Sequence, residues 1–172
     1  MALPQPIDPA VDLADIALRL AASVIVGVAI GIDREWRGKP VGIRTLALVS
    51  LGSALVSLAT VHLTALNGEP DAVSRVVQGI IQGVMAGIGF LGAGAVLRSH
   101  EEGEVHNLTT AATVWVAAAL GIACGLAAWE IVWVGVGLTL IVLVLLHPLD
   151  VWVDRMRAKR EGAAAKSDEA LD

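Results

Sequence analysis

The chain has 172 residues, of which 56% are hydrophobic and 17% charged, with a formal net charge of −5 and a mean hydropathy of +0.73. Soluble domains of this length carry about a quarter charged residues, so an ordinary water-soluble globule is excluded. No basic face interleaved with aromatics occurs, which excludes a nucleic-acid partner.

The charges are bunched. Gln78 to Leu97 (20 residues), Val105 to Trp129 (25) and Ile131 to Leu149 (19) carry none. A helix crosses a bilayer with roughly 20 mostly apolar residues. The expected fold is therefore all-α, an integral membrane bundle of five transmembrane helices. Its spans are expected at about 16–32, 45–65, 78–97, 108–128 and 131–149, after an N-terminal tail at 1–15.

The N-terminus places Asp8, Asp12 and Asp15 where a signal peptide would need Lys or Arg, so the first apolar run is expected to stay as an anchor. Arg19 lies inside that run and is expected to snorkel to the surface. The run ends in "GIDREWRGKPVGIRT", which gathers Asp33, Arg34, Glu35, Arg37, Lys39 and Arg44. Gly38, Pro40 and Gly42 mark a tight reversal between spans one and two. Arg44 could then return to Asp33 or Glu35, clamping two helices together.

Lipid supplies no hydrophobic drive for helix association, so small residues must pack. Helical stripes of them appear at Ser23, Gly27 and Gly31, at Ala47, Ser50, Ala54 and Ser57, and at Thr113, Ala117, Gly121 and Gly125. Span three carries Gly79, Gly83 and Gly87, then Gly89, Gly92 and Gly94. Glycines on all sides of one helix imply either neighbours pressing in from several directions or a broken helix, as in many transporters. Only Trp129 and Glu130 separate spans four and five, which predicts a tight hairpin. The 150–172 tail reads as a charged, disordered end whose basic start could touch anionic lipid.

Five spans put ten Lys and Arg residues on one side (Arg34, Arg37, Lys39, Arg44, Arg98, Arg155, Arg157, Lys159, Arg160 and Lys166) and Arg19 and Arg75 on the other. The positive-inside rule then places the N-terminus outside and the C-terminus in the cytoplasm. Trp36 and Trp152 fall at the cytoplasmic boundary, and Trp129 and Trp133 at the outer one.

Little chemistry is legible. His62, His100, His106 and His147 all lie near span ends, no histidine pair has metal-ligand spacing, and no catalytic triad order stands out. Cys124 is alone and reads as a small buried hydrophobe. The expectation is no enzyme, no cofactor and no metal site. The absence of a mid-membrane carboxylate also weakens a cation path.

Three blocks, "GVAIGIDREWRGKPVGIRTLALVSLGSALVSL", "GIGFLGAGAVL" and "LTTAATVWVAAALGIACG", in this order and spacing resemble the membrane domain of the MgtC/SapB family over roughly residues 20 to 145. Many members read Glu-Arg-Glu or Glu-Arg-Gln where this chain has Asp33-Arg34-Glu35, and many carry a C-terminal cytoplasmic domain, which is not expected here. The resemblance implies a bacterial inner-membrane protein linked to magnesium homeostasis. It implies a regulator of other membrane proteins, such as the proton-driven ATP synthase, rather than an established Mg²⁺ transporter. Carried over by position are Asp33, Arg34, Glu35, Arg37, Gly42, Arg44 and Thr45 from the first block, the glycines from the second, and Leu108, Thr109, Thr110 and Thr113 from the third. The first and third blocks are expected to meet in one polar cluster, with Thr109 and Thr110 capping span four and Asn107 as its N-cap. The alternatives are an ion transporter or channel with a broken third helix, and a homodimeric scaffold.

Overall fold

A computed structural model describes residues 13–65, 70–97 and 107–146, all of whose regular structure is helical. The helices are α1 (Leu13–Trp36), α2 (Ile43–Ala65), α3 (Pro70–Leu97), α4 (Leu108–Gly125) and α5 (Trp129–Leu145). Expectations at Arg98, His100, His106, His147, Trp152 and the 150–172 tail lie outside the described residues. The chain divides into two compact units, one to Val136 and one from Gly137 onward. Of the second unit, the second half of α5 is described.

Helices α1 to α4 are long and apolar enough to cross a membrane. Helix α5 is also apolar but has 17 described residues, at the short end of what spans a bilayer. Several ends differ from expectation. Helix α3 starts at Pro70, eight residues early, because proline at a first helical position loses no hydrogen bond. Helix α1 runs through its charged residues to Trp36 and stops in a Schellman motif. There Gly38 takes φ 62°, its N–H bonds the Glu35 carbonyl at 3.0 Å, and the Lys39 N–H bonds that of Arg34 at 3.0 Å. Helix α4 ends at Gly125 in the same motif, with Ala127 at φ 55° in the left-handed position. The chain then reverses, and the first turns of α5 run back along α4, where Gly135 lies against Leu120. The expected tight reversal between spans four and five is present at these first turns.

In the first unit, α2 and α4 pack on each other, and both touch α1 and α3. The seams are the predicted small-residue stripes. A Cβ on Gly27 would stand 2.5 Å from the Leu46 carbonyl oxygen, and one on Gly31 2.5 Å from Cα of Ile43. Gly121 rests on the backbone of Ser50, and a Cβ on Gly125 would stand 2.6 Å from the Ala54 carbonyl oxygen. Ile30, Leu46, Ala54, Ala117, Ala118 and Cys124 fill this core completely buried.

Helix α3 departs from both readings of its glycines. It is unbroken from Pro70 to Leu97. It is also not pressed from several sides among the described residues: Gly79, Gly83, Gly87, Gly89 and Gly94 meet none of them within 4 Å, and Gly92 alone touches a neighbour, Ala111. Inside a bilayer no water competes for backbone hydrogen bonds, so a glycine-rich segment keeps its helical ladder without side-chain support.

Candidate functional site: a buried arginine at one end of the bundle

The last turn of α1, the first turn of α2 and the first turns of α4 meet at one end of the first unit. Arg34 is 3% exposed, and its Nη2 donates to Thr110 Oγ1 across the α1–α4 seam. No carboxylate lies within ion-pair distance of its guanidinium among the described residues, and its Nε is buried without a partner. A buried cation held by one hydroxyl is costly to maintain. Asp33 instead pairs one turn along the chain, with Arg37 Nε at 2.8 Å from its Oδ1, while its Oδ2 is buried and unpartnered among the described residues. Unused hydrogen-bonding capacity thus stands on both neighbours.

Glu35 does different work. Its carboxylate folds over Gly42 and accepts the Ile43 N–H at 3.1 Å, so α1 caps the start of α2. The helix dipole favours an anion at that position. A Cβ at Gly42 would displace this carboxylate from its place over the start of α2.

Three expectations need correction. Arg44 does not return to Asp33 or Glu35; it is exposed and forms no ion pair among the described residues. Arg37, one turn on from Asp33 and just past the end of α1, needs no loop closure to reach it. Asn107 occupies the N-cap position of α4 but its side chain makes no capping bond. Its φ of 68° is left-handed, whereas side-chain capping needs an extended backbone; only its carbonyl contributes, accepting the Ala111 N–H at 3.1 Å. The threonines do not cap α4 either. Thr110 is taken by Arg34, and Thr109 offers its carbonyl to Thr113 Oγ1 at 2.6 Å. Thr113 is buried, whereas Thr45 is exposed.

The other end of the seam holds a contact that spacing did not suggest. Arg19 does not snorkel away; it pairs with Asp15 at 2.7 Å and donates to the Gly125 carbonyl at 3.2 Å, closing the C-terminus of α4. Between the two arginines, the hydroxyls of Ser53, Ser57, Thr60 and Thr113 are bonded to carbonyls four residues back on their own helices. Ser50 Oγ is buried without a partner among the described residues. Among the described residues, no three His, Cys, Asp or Glu side chains converge to hold a metal ion.

A family model described as the MgtC family matches residues 20–152. SrpB of Synechococcus elongatus is 38% identical over 141 residues, covering 78% of this chain and 76% of that protein. MgtC of Salmonella typhimurium is 40% identical over 109 residues, which are 63% of this chain but 42% of that protein. YhiD of Escherichia coli K12 is 37% identical over 136 residues, 79% of this chain and 62% of YhiD. The match thus spans less than two thirds of MgtC and YhiD. No solved structure matches. With the match covering α1 to α5 and the whole Arg34 end of the bundle, this chain belongs to the MgtC family.

Proposed function

We propose that this chain is a non-enzymatic regulator in the bacterial inner membrane, which tunes Mg²⁺ homeostasis or membrane potential by binding another membrane protein. The N-terminus is outside and the C-terminus cytoplasmic in this reading, as the ten-to-two sorting of Lys and Arg supports. The Arg34 end then faces the cytoplasm.

The observation that carries the reading is the contrast between a sealed core and an open helix. Helices α1, α2 and α4 touch backbone to backbone at Gly27, Gly31, Gly121 and Gly125. The buried hydroxyls along α2 and α4 are largely committed to their own helices, a poor lining for a hydrated ion. Helix α3 offers a surface for a partner. At 100° per residue Gly79, Gly83 and Phe90 fall within about 40° of one another, the glycines meet nothing, and Phe90 is 82% exposed. Small residues beside an aromatic allow a foreign helix close approach. The proton-driven ATP synthase is the proposed partner, and a second copy of this chain is the alternative occupant of the same face.

Two measurements test this. Proteoliposomes loaded with Mg²⁺ and pH indicators, under an imposed potential, should show no flux above protein-free vesicles. Saturable flux that falls in a folded Arg34→Lys variant would make the protein a transporter. A photo-crosslinking residue at Phe90 should capture a distinct membrane protein in cells; capture of a second copy would favour the homodimer.

A further inference from the structure

A groove of about 570 Å³ runs between α2 and α3, walled on α2 by Thr45, Leu48, Gly52 and Val56 and on α3 by Val84 and Leu91 among others. It lies on a different side of α3 from Gly79, Gly83 and Phe90. Thr45 to Val56 is about 17 Å along the axis at 1.5 Å per residue. Half of a hydrocarbon core about 30 Å thick is about 15 Å. The groove is therefore one leaflet long, and its apolar walls suit an extended acyl chain.

At Thr45 it reaches a second cavity of about 380 Å³, lined by Glu35, Gly42, Ile43, Arg44 and Thr45. This cavity carries one charge of each sign. Arg44 is exposed with no ion pair among the described residues. Glu35 spends one carboxylate oxygen on the Ile43 N–H, and a carboxylate accepts roughly four hydrogen bonds. A purely anionic group would meet Glu35 unfavourably. A zwitterion with a phosphodiester and a primary ammonium satisfies both.

The geometry points to a resident phosphatidylethanolamine-type lipid, with its phosphate at Arg44, its ammonium at Glu35 and one acyl chain in the α2–α3 groove. This inference stands independently of the regulatory reading. Phosphatidylcholine has the same phosphate and chains but no N–H donors, and phosphatidylglycerol has no ammonium at all, so headgroup preference separates this site from general lipid contact.

The test is native mass spectrometry of the detergent-purified chain titrated with equimolar dioleoyl phosphatidylethanolamine, phosphatidylcholine and phosphatidylglycerol. Phosphatidylethanolamine should be retained on the order of tenfold more than either rival. Glu35→Gln should remove the preference over phosphatidylcholine. Arg44→Gln, at an exposed and unpaired side chain, should weaken phosphatidylethanolamine retention and carries the headgroup arm if Glu35→Gln does not fold. Gly52→Leu, which fills open groove, should lower retention of all three lipids. Equal retention of the three lipids by the native chain would overturn the proposal, as would undiminished phosphatidylethanolamine binding in folded Gly52→Leu. Efficient disulfide crosslinking of Gly52→Cys to a second copy would also overturn it, by assigning the groove to a protein.

Discussion

Arg34 shows how much one side chain can depend on one neighbour. Its guanidinium is buried between α1 and α4, and Thr110 Oγ1 is its hydrogen-bond acceptor among the described residues. Thr110→Val keeps the shape and removes the acceptor. Hydrogen bonds to charged groups contribute about 1.5–3 kcal/mol, so this variant should lose about that much stability, read as a lowered midpoint of thermal unfolding in detergent. An unchanged midpoint would mean that Arg34 finds other partners in solution. The pair was only half legible beforehand. Charge at 33–35 and threonines at 109–113 announced a polar end, but which acid meets which base depends on helix rotation. Asp33 takes Arg37 because the two are one turn apart at the end of α1, and Arg34, one residue along, points into the bundle instead.

Between elements, the same four-residue small-residue spacing has two outcomes. On α1 and α4 it brings glycines onto the backbone of α2; on α3 most of it faces open space. Spacing determines that a helix has a flat face and says nothing about whether another helix of the same chain reaches it. The difference is measurable. Gly121→Ala must push a methyl into the Ser50 backbone, an overpacking that costs typically about 1–3 kcal/mol. Gly83→Ala meets nothing and gains helix propensity, up to about 1 kcal/mol. Gly121→Ala should therefore lower the unfolding midpoint in detergent and Gly83→Ala leave it unchanged or raise it. If both are neutral, the α2–α4 seam is looser than its geometry. If Gly83→Ala is harmless to the isolated chain yet abolishes partner capture at Phe90, its face is an interface.

For the whole molecule, orientation in the membrane is the property with the largest functional consequence. Helix α1 has 24 residues, about 36 Å at 1.5 Å per residue, longer than the roughly 30 Å hydrocarbon core. Its two ends must then lie on opposite sides. Trp36, 90% exposed, stands at the Arg34 end, beside the turn that carries Lys39. A single cysteine in place of Lys39, with Cys124 replaced by Ala, should react with an impermeant maleimide in inverted vesicles and be protected in intact spheroplasts. Leu13→Cys in the same background should do the opposite. Reversed accessibility would put the polar cluster outside the cell and remove cytoplasmic partners from consideration.

Much of this protein follows from one-dimensional information. The charge-free runs determine an all-helical membrane chain because a bilayer admits no unpaired backbone, and the stripes at Gly27, Gly31, Gly121 and Gly125 mark helix contacts because apolar side chains gain nothing by hiding from lipid. The tertiary structure alone decided that Glu35 caps α2, that Arg19 closes α4, and that, among the described residues, Arg34 is buried without a carboxylate and the glycines of α3 are largely unused. Each depends on the rotation and register of helices far apart in sequence. Residue spacing along a helix constrains its own faces, whereas the choice of neighbour depends on how backbones fit together in three dimensions.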